Sequence, residues 1–310
     1  MTRVTSPDGT PPSALTFGAM QFGDNASVAE SRNLYLACRE HGITMFDTAH
    51  VYAGGSSEEI LGPRLAADRD RVVVATKADH RRGNSPEALR QSCDESRRRL
   101  NIDTIDLYYL HRFDQKVPLE ATIGALTDLQ REGRIRFIGV SNFAAWQVMK
   151  AQALAHAAGT RIDAVQPMLN LVKRQVEVEI LPMARDQGID VYPYSPLGGG
   201  LLTGKYRMGG AGRLTTSDIY AQRYGPEWMH ATAGDLATLG REVGIDPATL
   251  AVAWAMRRPG VTAPIISARS VDQLLPSLAA LELDYGSDLD ARITALTRDP
   301  APATDRLEEF

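Results

Sequence analysis

Hydrophobic positions along this chain come in two alternating kinds. Short β-prone runs at 15–20, 43–46, 72–76, 105–110, 135–140, 164–166, 190–192 and 262–266 are largely apolar. Strands of a parallel sheet, buried on both faces, read this way. Between them lie longer stretches at 28–40, 58–65, 86–100, 119–131, 144–158, 177–186, 227–242, 247–257, 271–281 and 287–297. Their apolar residues recur at helical spacing. Local stop and start signals agree. Ser85 caps 86–100, Pro86 takes its first turn and Glu87 faces the positive helix end. Ser56-Ser57 read as caps for 58–65, and His41-Gly42 and Gly133 as helix stops. Eight strand-then-helix units predict an α/β fold, a parallel sheet closed into a (β/α)8 TIM barrel. An open doubly wound sheet is the alternative, weakened because no G-x-G-x-x-G opens a helix after a strand.

The rhythm breaks twice. Residues 1–13, rich in Pro, Ser and Thr, predict a loose segment or short flap. Residues 195–225 form a long Gly-rich, charged stretch, which in a compact domain is usually functional. No shift in composition marks a boundary, so 1–310 reads as one domain.

Composition narrows the function classes. The 310 residues are 44% hydrophobic and 23% charged, as in a globular protein. About three quarters of the unfolded surface is hidden at this length. A net charge of −4 gives no general attraction to nucleic acid or anionic membrane. The basic runs at 80–82 and 97–99 are short and read as solvated surface. Cys38 and Cys93, the two cysteines, sit in separate predicted helices and make neither a disulfide framework nor a thiolate zinc site. The first residues lack a signal-peptide core and no run reaches membrane-spanning length, so the expected location is the cytoplasm.

Candidate chemistry gathers where strands end. Asp47 and Tyr52 follow the second strand, Lys77 the third and His111 the fourth. In a barrel these ends share one rim, the face that carries active sites. Singly each has an ordinary explanation, as turn former, partial core or solvated charge. Together they suit proton donation coupled to a second transfer. A phenol has a pKa of about 10, and lowering it to near 7 takes roughly 4 kcal/mol. An ammonium about 4 Å away supplies about 1 kcal/mol in water but about 4 kcal/mol at an effective dielectric near 20. Lys77 is thus expected to make Tyr52 acidic within a partly dry pocket, with Asp47 holding Lys77 charged. His111 would hydrogen-bond a substrate oxygen or pass a proton. A metal-dependent hydrolase using Asp47, His50, His80 and His111 is a distant alternative, since no H-x-H or H-E-x-x-H spacing occurs.

FDTAHVY around Tyr52, VVVATK ending at Lys77 and DLYYLHRFD around His111 resemble the aldo-keto reductase superfamily. The resemblance runs in order through GVSNF, AVQPMLNLVKRQVE, YPYSPLGGGLLTGKY and PIISARSVDQL, roughly residues 15–281. It implies a β/α barrel that binds a nicotinamide cofactor, NADPH rather than NADH, and reduces aldehydes or ketones without a metal. Asp47, Tyr52, Lys77 and His111 are then the catalytic tetrad. Ser141, Asn142 and Gln166 are implied to hold the carboxamide of the nicotinamide and Tyr194 to stack on its ring. Ser195, Leu197, Gly199 and Leu201 are implied to follow the pyrophosphate. Arg269, Ser270 and Gln273 are implied near the adenosine 2′-phosphate, with Ser277 where the family commonly places an adenine-contacting Asn. Ala53 and Ser267 stand where Gly is usual. Some members of this superfamily are regulatory subunits, so a non-catalytic nicotinamide-binding role is the second reading. Selectivity is expected from Phe22, Trp146, the loop after His111 and residues 203–228, with Tyr220, Tyr224 and Trp228 as candidate lid residues or local packing. The carbonyl substrate itself and the oligomeric state are not written in the sequence.

Overall fold

The fold was obtained as a computed structural model that describes residues 2–304, Arg306 and Glu308. In chain order it contains β1 (Thr16–Gly18), α1 (Val28–Glu40), β2 (Met45–Asp47), α2 (Ser56–Leu65), β3 (Val73–Lys77), α3 (Pro86–Leu100) and β4 (Ile105–Leu110). There follow α4 (Leu119–Arg131), β5 (Ile135–Ser141), α5 (Ala145–Ala157), β6 (Ala164–Gln166), α6 (Ile180–Gln187) and β7 (Asp190–Val191). Two short helices, α7 (Arg213–Thr216) and α8 (Asp218–Arg223), precede α9 (Glu227–Val243), α10 (Pro247–Met256), β8 (Ile265–Ile266), α11 (Val271–Leu278) and α12 (Ser287–Thr294).

The eight strands run parallel in the order β7-β6-β5-β4-β3-β2-β1-β8. The ends meet: Ile265 N donates to Pro193 O at 2.8 Å and Thr262 N to Val191 O at 2.8 Å. This is the expected (β/α)8 barrel. Its interior is filled by Met45, Val73, Ala75, Leu107, Tyr109 and Tyr192. Gly139 on β5 makes room for Tyr109, since a Cβ there would lie 2.4 Å from that ring. Two larger apolar clusters fill the layer between strands and helices.

The start of the chain differs from expectation. Val4 packs inside the barrel, and Asp190 Oδ2 accepts from Arg3 N at 2.8 Å and Val4 N at 2.9 Å. Arg136 donates to Thr5 O at 2.7 Å and Ser6 O at 3.2 Å. Residues 3–6 therefore plug the barrel floor instead of lying loose. Ser85 caps α3, accepting from Ala88 N at 3.3 Å. Ser57 does not cap α2. Its hydroxyl bonds Ala19 O at 2.7 Å and Thr48 Oγ1 at 2.8 Å, tying α2 to the loops above β1 and β2.

Candidate active site

Parallel register carries the four strand-end residues to one rim. Gly18 pairs with Asp47, Asp47 with Ala75 and Lys77 with Tyr109. Lys77 and Asp47 are 1% and 3% exposed. Lys77 Nζ donates to Asp47 Oδ1 at 2.5 Å and to Thr48 O at 2.7 Å. Asp47 Oδ2 accepts from Gln166 Nε2 at 2.8 Å. A buried ion pair is tolerated when further hydrogen bonds satisfy both charges, and Gln166 and Thr48 supply them here. The ammonium lies 4.9 Å from the Tyr52 ring centroid, and His111 meets that ring edge to face at 5.9 Å.

The electrostatics correct one expectation. Burial pushes the Tyr52 phenol above its ordinary value; Lys77 pulls it down by charge and hydrogen-bonding proximity, but does not win. Desolvation of the phenolate exceeds the ammonium's attraction, so Tyr52 holds its proton through the neutral range. Burial also opposes the Lys77 charge, but Asp47 and then Tyr52 more than offset it and hold the ammonium above its ordinary value. Burial, then Lys77, His80 and Arg112, push His111 down to about 2. His111 is therefore a neutral hydrogen-bonding group, not an imidazolium that passes protons.

Beside this quartet, Ser141 faces Gln166 across β5 and β6, and its Oγ donates to Gln166 O at 3.0 Å. Asn142 Nδ2 donates to His111 O at 3.0 Å, and its Oδ1 accepts from Tyr194 OH at 2.7 Å. Asn142 and Ser195 both adopt left-handed backbone, φ 58 and 61.

A cleft of about 1100 Å³ opens here, lined by Asp47, Tyr52, His111, Ser141, Asn142, Gln166, Tyr194, Ser195, Leu197, Gly199, Arg269 and Gln273. Four of the candidates stand elsewhere. Lys77 lies beneath the cleft floor. Leu201 is buried in the outer core. Ser270 spends its hydroxyl capping α11, accepting from Gln273 N at 3.4 Å. Ser277, 1% exposed, lies on the buried face of α11, and its neighbour Pro276 lines the cleft instead. Of the candidate selectivity residues, Phe22 and Tyr224 are core. Trp146 is 62% exposed beside Phe113, and Trp228 faces a separate cavity. Tyr220 lines the cleft between the Arg213 and Arg223 guanidiniums, 5.4 and 5.2 Å from its ring.

Sequence reasoning missed the cations of this cleft: Arg112, Lys205, Arg213 and Arg223. Among the described residues, neither Lys205, Arg213, Arg223 nor Arg269 has an ion pair with a carboxylate. Burial, then Arg269 and Arg213, lower Lys205, so three cations crowd one stretch of wall. Gly200, at φ 92, passes beside them; a Cβ there would sit 3.2 Å from Lys205 Nζ. Bare backbone and converging cations suit phosphate groups. A signal existed: no acidic residue lies within four positions of Lys205 or Arg213. The metal alternative loses its geometry. His50 Nε2 is taken by Glu95 at 2.7 Å and Asp47 by Lys77, and among the described residues no three His, Cys, Asp or Glu side chains are placed to hold a metal.

The barrel thus carries a buried Asp–Lys pair under a rim tyrosine, beside a cation-walled cleft. The chain matches the Aldo/keto reductase family over residues 14–298 and belongs to it. It is 33% identical to the Bacillus subtilis protein named "Uncharacterized oxidoreductase YrpG", across 96% of this chain and 95% of that one. It is 39% identical to human aldo-keto reductase family 7 member A3 over 69% of each chain. It is 32% identical to a probable voltage-gated potassium channel subunit beta of Arabidopsis thaliana, across 87% of this chain and 88% of that one. Among the described residues no helix is long and apolar enough to cross a membrane.

Proposed function

We propose that the protein is an NADPH-dependent reductase that converts an aldehyde or ketone to an alcohol, with Tyr52 as general acid. The observation that carries this is the fully satisfied Lys77–Asp47 pair buried directly beneath Tyr52 at the cleft. A reduced nicotinamide bound in the cleft would supply the hydride. Tyr52, protonated at neutral pH, gives its proton to the oxygen that becomes the alcohol. Lys77 stabilises the phenolate as it forms, and Asp47 keeps Lys77 charged and in place. Neutral His111 donates a hydrogen bond that orients the carbonyl. Ser141, Asn142 and Gln166 offer amide and hydroxyl groups to the carboxamide, and Tyr194 offers a ring face. Lys205, Arg213 and Arg269 suit the phosphates, and the surplus of cations favours NADPH over NADH.

The likeness to a probable channel beta subunit supports a second reading, a nicotinamide-binding regulatory subunit. NADPH oxidation over a panel of aldehydes separates the two. Turnover is expected; tight NADPH binding with no turnover on any member would favour the regulatory role.

A further inference from the structure

His80 stands three residues past Lys77 on the loop between β3 and α3, and no step above uses it. Its Nδ1 lies 3.3 Å from Nδ1 of His111. The two rings meet edge to face, centroids 4.7 Å apart. Two imidazole nitrogens in this arrangement share one hydrogen, so one ring donates and the other accepts. Neutral His111 carries a single N–H. If its Nδ1 accepts, that N–H must sit on Nε2, the far side of the ring.

We propose that His80 donates its Nδ1–H to His111 Nδ1 and so fixes His111 as the Nε2–H tautomer, the form able to hydrogen-bond a carbonyl oxygen beside Tyr52. His80 is then a positioning residue for the reduction. The inference rests on the function proposed above, but the tautomer is observable without turnover. The charged groups facing the pair are Lys77 and Arg112 around His111, with Arg112, Arg81 and Asp79 around His80. Burial, then Arg112, lower His80 and keep it neutral at neutral pH. Its imidazolium would still donate from Nδ1, so acidification leaves the arrangement intact. A backbone hydrogen bond to Ala78 also acts on His111 and opposes the fall.

The test is long-range 1H–15N correlation on the full-length protein with 15N-labelled histidine. Six histidines contribute signals, and the His111 set is identified by its loss in His111→Gln. In the wild type His111 should show a pyrrole-type Nε2 and a pyridine-type Nδ1. His80→Phe should abolish that preference and lower kcat about tenfold with KM for NADPH unchanged. His80→Asn, whose amide can donate from a similar place, should restore both. A pyrrole-type Nδ1 in the wild type overturns the proposal, as does a His80→Phe tautomer identical to the wild type's. A fall in kcat with no tautomer change would make His80 merely structural and equally overturns it. If no carbonyl is turned over but the tautomer responds, the functional reading fails and the coupling stands.

Discussion

Replacing Lys77 by Met removes the ammonium and keeps much of the side chain's volume. Two effects follow from the geometry. At the 4.9 Å between Nζ and the Tyr52 ring, a unit charge at an effective dielectric near 20 is worth about 3 kcal/mol to a phenolate. Losing it should slow proton donation by roughly two orders of magnitude. The variant also leaves Asp47, 3% exposed, with Gln166 as its remaining side-chain donor among the described residues. An uncompensated buried charge of this kind costs about 3–5 kcal/mol of stability. Adding Asp47→Asn removes the stranded charge, so the double variant should regain most of the stability and none of the turnover. Urea unfolding followed by circular dichroism and single-turnover NADPH oxidation measure the two effects separately. Stability losses that simply add in the double variant would refute the pairing. A Lys77→Met turnover within threefold of wild type would refute the electrostatic role.

Three further outcomes are expected. Ala53, next to Tyr52, sits at φ 48, a left-handed backbone costing about 1–2 kcal/mol for a residue with a Cβ. Ala53→Gly should raise stability by about 0.5–1 kcal/mol after the unfolded-state entropy is subtracted, and a lower melting temperature would contradict this. Burial raises Asp163 to about 6, and also raises Asp190. The folded state then binds more protons than the unfolded state between about pH 4 and 6, so stability falls as pH rises through that window, by an order of 3 kcal/mol for Asp163 alone. Asp163→Asn should flatten the slope in chemical unfolding across pH 4–8; an unchanged slope would assign it elsewhere. Arg269→Ala should weaken NADPH about tenfold or more and NADH little, as read by fluorescence titration. Equal loss for both cofactors would mean that Arg269 does not read the 2′-phosphate.

The strands and the rim were legible because both depend on local pattern. Apolar runs ending in Asp47, Lys77 and His111 fix which side chains leave each strand at the same level, and parallel register does the rest. The floor plug was not legible: Val4 is held by the carboxylate of Asp190, 186 residues away, and residues 3–6 carry no periodicity of their own. Ser277 was placed near the adenine by resemblance alone, and the face it shows is set by how α11 packs. The direction of the Tyr52 shift was misjudged for a related reason. Sequence shows which charges are neighbours, whereas desolvation depends on everything packed around the phenol. The two short helices Arg213–Thr216 and Asp218–Arg223 lie in a Gly-rich stretch with too few turns to show helical spacing.

Tyr52→Phe tests the central claim most directly, because it removes one oxygen from a ring whose packing it leaves alone. NADPH should quench protein fluorescence in the variant with an affinity within about twofold of wild type, while single-turnover carbonyl reduction falls by two orders of magnitude or more. Reduction at the wild-type rate, with the cofactor bound normally, would show that the proton comes from another group.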